Sequence, residues 1–210
     1  MRLLLADDHP VMRRGVAEIL RQHFPDAVVD EADSIAQALS LAPHRSWDLV
    51  VLDLSLSDGS GLDLLKRLRE TQPRVPVLIL SVHTAEQFAR RAIAAGASGY
   101  LTKDAADTEL MTAITTLIRG GKYFNVEVLE QVAIGVHADY KERPHERLSD
   151  REYEVFLMIG SGKTVSEIAS ILGLSVKTVS TYRSRVMDKM ELRTNAELTH
   201  YALSHQLITW

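Results

Sequence analysis

No cysteine occurs among the 210 residues, which excludes a disulfide framework and any cysteine-ligated metal site. Long apolar runs are also missing. Nothing approaches the roughly 18 apolar residues of a membrane span. After Arg2 the first apolar stretch is only Leu3-Leu4-Leu5-Ala6, too short for the apolar core of a signal peptide. The protein is therefore expected to be cytoplasmic, with no membrane partner. Charge of one sign does not dominate either. The formal net charge is -4, so any nucleic-acid function has to come from a local basic patch. What is present is ordinary globular composition, 46% hydrophobic and 25% charged, in a length that suits one or two domains.

The most informative stretch is Asp48-Leu49-Val50-Val51-Leu52-Asp53-Leu54, an apolar run that ends on a carboxylate. With β-branched residues at Val50 and Val51, it reads as a strand buried on both faces, as in a parallel sheet. Open α/β sheets place their chemistry at the carboxyl ends of such strands. Three other runs behave alike. Residues 1–6 end on Asp7-Asp8, residues 75–80 on Ser81, and Gly99-Tyr100-Leu101-Thr102 on Lys103. Three carboxylates, a hydroxyl and a lysine thus gather at the ends of four expected parallel strands.

Helix-like segments separate these runs, the signature of a doubly wound sheet. Residues 10–23 keep helical spacing, with Val11, Val16, Ile19, Leu20 and Phe24 on one face. Residues 27–32 read as an edge strand. Residues 34–41, 62–70, 85–95 and 105–119 read as helices, the last stopped by Gly120-Gly121. The expected fold of residues 1–122 is an α/β doubly wound, five-stranded parallel sheet. Residues 123–147 read as a linker: apolar residues keep helical spacing over 126–136, then a charged stretch is broken by Pro144. From Leu148 the pattern is helical throughout. Ser149 with Glu152 fits a capping box, Gly173-Leu174-Ser175 joins two short helices, Ser175 caps a helix to about Met190, and residues 195–204 form the last. Residues 148–210 are therefore expected to be a separate all-α, four-helix helix-turn-helix domain, a motif whose second helix enters the DNA major groove.

The set Asp7, Asp8, Asp53, Ser81, Tyr100 and Lys103 resembles the flavodoxin-like receiver domain of two-component response regulators. The resemblance implies that Asp53 accepts a phosphoryl group from a sensor histidine kinase. It implies a Mg²⁺ ion ligated directly by Asp8, Asp53 and the backbone carbonyl of Ser55, with Asp7 acting through water. Lys103 would pair with the phosphoryl oxygens, Ser81 would donate its hydroxyl to them, and Tyr100 would rotate inward as Ser81 moves. Each task has a physical basis. Carboxylates serve as phosphoryl-accepting nucleophiles, the transferred group needs electrostatic stabilisation, and clustered oxygen ligands suit Mg²⁺. Asp58 and Asp63 are expected to be solvated, and His9 to be an exposed loop histidine. Where the family usually has proline, this chain has Ser57.

The segment Leu148-Ser149-Asp150-Arg151-Glu152, with Ile168-Ala169 and Lys177-Thr178-Val179, resembles a LuxR-type helix-turn-helix. Together the halves are similar to a NarL/FixJ-type response regulator, and Lys177 to Arg183 with Glu197-Leu198-Thr199 leans towards the GacA/UvrY-like members. Between Ser175 and Arg193, the cations Lys177, Arg183, Arg185, Lys189 and Arg193 exceed Asp188 and Glu191 by three, the kind of face that phosphate contacts need. Val176, Val179, Val186 and Met190 fall at helical spacing and are expected in the core. By family position, Ser180, Thr181 and Ser184 face base edges, while Lys177, Thr178, Tyr182, Arg183 and Arg185 hold phosphates.

The implied function is a phosphorylation-switched transcription factor, a homodimer on promoter half-sites when active, and not an enzyme beyond accepting and slowly losing its phosphoryl group. Two other readings stay open. One is a DNA-binding regulator with a vestigial receiver. The other is a small aspartate-nucleophile phosphatase, which would place a second aspartate where this chain has Ser55.

Overall fold

The computed structural model describes residues 1–41, 46–82, 85–125 and 143–208. The helix expected over residues 126–136 lies outside them. The chain divides into two compact units, residues 1–137 and 138–210.

In the first unit the strands are β1 (Arg2–Ala6), β2 (Val28–Ala32), β3 (Leu49–Leu52), β4 (Ser55–Leu56), β5 (Gly59–Ser60), β6 (Val77–Ser81), β7 (Gly99–Thr102) and β8 (Tyr123–Phe124). Between them run the helices α1 (Pro10–His23), α2 (Ile35–Leu41), α3 (Gly61–Thr71), α4 (Ala85–Ala94) and α5 (Ala106–Ile118). Six strands form one parallel sheet in the order β2-β1-β3-β6-β7-β8, while β4 and β5 make a small antiparallel hairpin. β3 and β6 are buried along their whole length because helices cover both faces. Leu3, Leu5, Leu49, Val51, Leu78 and Leu80 pack with Val16 and Leu20 of α1 and with Leu110, Ile114 and Leu117 of α5. The alternating residues Leu4, Val50, Leu52, Val77 and Ile79 are equally buried and turn to the opposite face.

Three details differ from the sequence expectation. The sheet has six strands rather than five, because Tyr123 and Phe124 pair with Gly99 and Tyr100 just past the expected boundary. A two-residue strand is too short to show periodicity. β6 begins at Val77 rather than Val75, since Pro76 has no N–H to offer a ladder and Val75 closes a turn onto Gln72. Val11, expected on the inner face of α1, is 86% exposed. It lies in the first helical turn, beyond the edge of the core, and Met12 packs against the core cluster instead.

The second unit opens on a 3₁₀ turn (Pro144–Arg147) and continues with α6 (Asp150–Gly160), α7 (Val165–Ile171), α8 (Val176–Met190) and α9 (Asn195–Ser204). The capping box at Ser149 is formed: its N–H donates to Glu152 Oε2 at 2.8 Å, and Glu152 N–H donates to Ser149 Oγ at 3.4 Å. Val155, Phe156, Ile168, Val179, Val186, Met187, Met190, Leu198 and Ala202 build the core. Gly173, with φ +63°, makes the left-handed turn between α7 and α8 that other residues adopt only under strain. Val176 is not core. It is 50% exposed at the first position of α8, and Met187 takes the inward place.

Candidate functional site

The sheet register assembles the acidic site. Ala6 pairs with Leu52, so the next residues, Asp7 and Asp53, emerge side by side from β1 and β3. Their backbones are still held: Asp7 N–H donates to Ala32 O at 3.1 Å and Asp53 N–H to Ala6 O at 2.8 Å. β7 ends beside them and delivers Lys103 as the first residue of a 3₁₀ turn. Its ammonium donates to Asp53 Oδ2 at 2.7 Å and to Asp7 Oδ2 at 2.8 Å.

All three groups are buried. Burial is the largest influence on the Asp53 carboxyl and raises it; the Lys103 ammonium lowers it, and Asp7 raises it again, leaving it at about 6 against an ordinary 3.8. Burial depresses Lys103, but the two carboxylates outweigh this and hold it above its ordinary value. Ser55 N–H donates to Asp53 Oδ1 at 3.1 Å. Asp8 stands at the mouth of the pocket with one oxygen, Oδ1, buried and without a hydrogen-bond partner.

Ser81 and Tyr100 lie on adjacent strands and are fully buried, with the tyrosine hydroxyl hydrogen-bonded to Ser81. Tyr100 thus occupies the inward position that the sequence reading assigned to the end of its movement. Burial pushes its phenol well above the ordinary tyrosine value, so it stays protonated.

Three residues do more than the sequence suggested. His9 is exposed, as expected, yet its Nδ1 reaches 2.9 Å from Asp8 Oδ1, 3.3 Å from Asp7 Oδ1 and 3.7 Å from Asp53 Oδ2. Asp58 is not merely solvated: its carboxylate accepts from the N–H groups of Ile35 and Ala36 at 2.8 and 2.9 Å and caps α2 across the chain. Gly61 touches the phosphoacceptor candidate's backbone so closely that a Cβ there would stand 2.1 Å from Asp53 O. Asp63 has only Lys66 nearby, at 3.5 Å.

On α8, Lys177, Ser180, Thr181, Ser184 and Arg185 are exposed on one stripe, while Thr178, Tyr182 and Arg183 are half-buried along its edge. Thr178 is drawn into the helix cap, its hydroxyl 2.7 Å from that of Ser175. Thr181 Oγ1 donates back to Lys177 O at 3.0 Å, and Arg183 Nε donates to Asn195 Oδ1 at 2.8 Å. Lys189 is not a free cation. Its ammonium sits 2.6 Å from Glu152 Oε2, and counting Glu152 lowers the local cationic excess from three to two.

The response regulator receiver domain model matches residues 3–115, and the model for bacterial regulatory proteins of the luxR family matches residues 146–202. The chain belongs to the response regulators. It is 34% identical over 208 residues to the response regulator UvrY of Escherichia coli K12, covering 99% of this chain and 95% of that one. To the response regulator GacA of Pseudomonas aeruginosa it is 32% identical over 209 residues, covering 99% and 98%. Among solved structures it is similar to RcsB of Salmonella enterica serovar Typhimurium bound to a promoter with a phosphomimetic, at 25% identity and TM-score 0.59, covering 96% and 97%. This chain is therefore a NarL/FixJ-type transcription regulator of a two-component system, with a receiver and a LuxR-type helix-turn-helix. No described helix is long and apolar enough to cross a membrane.

Proposed function

We propose that Asp53 is the phosphoacceptor, charged by a sensor histidine kinase, and that its phosphorylation controls DNA binding by the output domain. The observation that carries this reading is the Lys103 ammonium bridging Asp53 and Asp7 in a buried pocket at the strand ends. A P–O bond forms at Asp53 as the donor's P–N bond breaks, and Lys103 then has phosphoryl oxygens to pair with. Ser81, already hydrogen-bonded to Tyr100, would donate to the phosphoryl group, a stronger, charged acceptor. Any shift of Ser81 is therefore felt at Tyr100.

The oxygen-rich donor set, in which Asp8 Oδ1 is buried and makes no hydrogen bond, fits a divalent ion such as Mg²⁺, which Asp8, Asp53 and the Ser55 carbonyl would hold, with Asp7 acting through a water. Negative charge gathering on the transferred group is offset when that ion is bound. In the output domain, Ser180, Thr181 and Ser184 would read bases from the exposed stripe of α8. Lys177, Tyr182, Arg183 and Arg185 would hold phosphates, and Thr178 would act through the helix cap. The RcsB relative is described as dimers on DNA. For this chain we place the dimer contact on α9, whose outward face presents Ala196 and His200. Strand β8 supports ending the receiver just past Phe124, with the output domain starting at Leu148. The proposal puts the protein in the cytoplasm, where its DNA lies.

The test is incorporation of labelled phosphate from a small phosphodonor with Mg²⁺, followed by DNA titration. Wild type should incorporate label and bind DNA more tightly, and Asp53→Asn should do neither. Equal incorporation in the variant would overturn the assignment of Asp53. Equal DNA affinity with and without phosphate would favour the vestigial-receiver reading.

A further inference from the structure

The segment from Leu54 to Gly61 carries Ser55, whose carbonyl the reading above gives to the divalent ion. It holds three serines, two glycines and no proline, a composition with little stiffness of its own. Its base is anchored. Gly61 N–H donates to Leu54 O at 2.7 Å, and Ser55 N–H donates to Asp53 Oδ1 at 3.1 Å. Ser55 then pairs with Ser60 and Leu56 with Gly59, which leaves Ser57 and Asp58 as the tip of the hairpin. What meets the tip comes from far back in the chain. Asp58 Oδ1 accepts from Ile35 N–H at 2.8 Å, and its Oδ2 accepts from Ala36 N–H at 2.9 Å. Beside it, a Cβ on Gly59 would stand 2.8 Å from Ile35 Cδ1, so hairpin and α2 are in contact.

These bonds are more than a helix cap. Ser34 already caps α2 from its own side, its Oγ accepting from Gln37 N–H at 3.3 Å. What Asp58 adds is a tie between segments 23 positions apart, made with both oxygens of an exposed carboxylate. We propose that Asp58 is a positioning residue for the metal pocket: by tying the hairpin to α2 it holds the Ser55 carbonyl where the ion would meet it. The inference rests on the reading that Asp8, Asp53 and Ser55 hold a divalent ion. Mg²⁺ demands near-octahedral geometry, so a ligand on a wandering loop serves it poorly. A loop held in place beforehand spares the ion the cost of ordering it. A loop held only part of the time lowers the apparent affinity by that fraction.

Calorimetric titration of the full-length protein with Mg²⁺ is the test, with hydrogen exchange at the Ile35 and Ala36 amides reporting the tie itself. Asp58→Ala should lose about fivefold in Mg²⁺ affinity, the equilibrium equivalent of one helix cap, and both amides should exchange faster. Asp58→Asn keeps one acceptor oxygen of the two and should fall between. Ser57 has no positive φ, so proline fits at that corner of the turn. Added to Asp58→Ala, Ser57→Pro should return most of the Mg²⁺ affinity yet leave both amides unprotected, because it stiffens the hairpin and not α2. Wild-type Mg²⁺ affinity in Asp58→Ala, with both amides exchanging faster, would reduce Asp58 to a helix cap and overturn the proposal. So would a loss that Ser57→Pro leaves unrepaired, which belongs to the removed charge. Asp8→Ala separates this role from the reading beneath it. If that variant binds Mg²⁺ as wild type does, the metal site itself is misplaced and the inference falls with it.

Discussion

At the strand ends, Asp7, Asp53 and Lys103 are 1%, 2% and 9% exposed, whereas on α8 Lys177 and Arg185 stand in solvent. The receiver buries opposite charges against one another, and the output helix leaves its cations open. Buried charges are screened little by salt and are costly when unpaired. Exposed cations contribute little to stability and respond strongly to ionic strength. The first arrangement suits a site that must change state when one group is modified. The second suits a surface waiting for a polyanion.

Removing the buried cation should break the contrast most severely. Lys103→Met leaves Asp53 and Asp7 facing each other without their shared partner, and stranding a buried charge costs about 3–5 kcal/mol. Adding Asp53→Asn should return part of that loss, because it removes one of the stranded carboxylates. Urea unfolding of the single and double variants measures both. If Lys103→Met unfolds at the wild-type midpoint, the pocket is wetter than its burial indicates.

The two units should also differ in the sign of their response to pH. The Asp53 carboxyl is raised from 3.8 to about 6, so with divalent ions chelated its contribution is complete below about pH 4 and lost as pH rises through 6. Glu152 goes the other way. Burial raises it, but Lys189 and the Ser149 N–H and hydroxyl together outweigh that and hold it below 4.5. Its contribution is present above pH 4.5 and lost as pH falls through its lowered value. Carboxyl ¹³C titration of the full-length protein should show the Asp53 midpoint near 6 and that of Glu152 below 4.5. Midpoints in the reverse order would refute the assignment of burial and pairing in both places.

What the sequence made legible, and what it hid, follows the reach of each signal. The strand-end residues Asp7, Asp8, Asp53, Ser81 and Lys103 could be read because an apolar run announces its own end, and a parallel sheet brings those ends together. The capping box at Ser149 is equally local. Val11 and Val176 misled because helical spacing gives the phase of a residue but not whether core lies opposite it. Both sit in the first turn of their helices, where α1 and α8 project past their cores. The bond between Asp58 and the start of α2 spans 23 positions, and that between Lys189 and Glu152 spans 37, and no periodicity reports either. His9 follows Asp7-Asp8 directly, so its proximity was available, but the direction of its ring was not.

The smallest effect separates two lysines that the sequence treats alike. Lys177 is exposed near the start of α8 and makes no ion pair among the described residues, so against DNA it is free to replace a condensed counterion at a phosphate. Lys177→Ala should therefore weaken binding to every sequence and reduce the slope of log affinity against log salt by about 0.9. Lys189 lies three turns further along and is held by Glu152, a carboxylate only 3% exposed. Its charge is already neutralised from within the domain, and leaving Glu152 to reach a phosphate would strand a buried anion. Lys189→Ala should accordingly leave the salt slope unchanged while lowering the unfolding temperature. DNA titrations across a range of salt, paired with thermal melts, resolve the two. Equal losses of slope would mean that Lys189 abandons Glu152 on DNA, and that the output domain, too, switches a buried charge when its partner arrives.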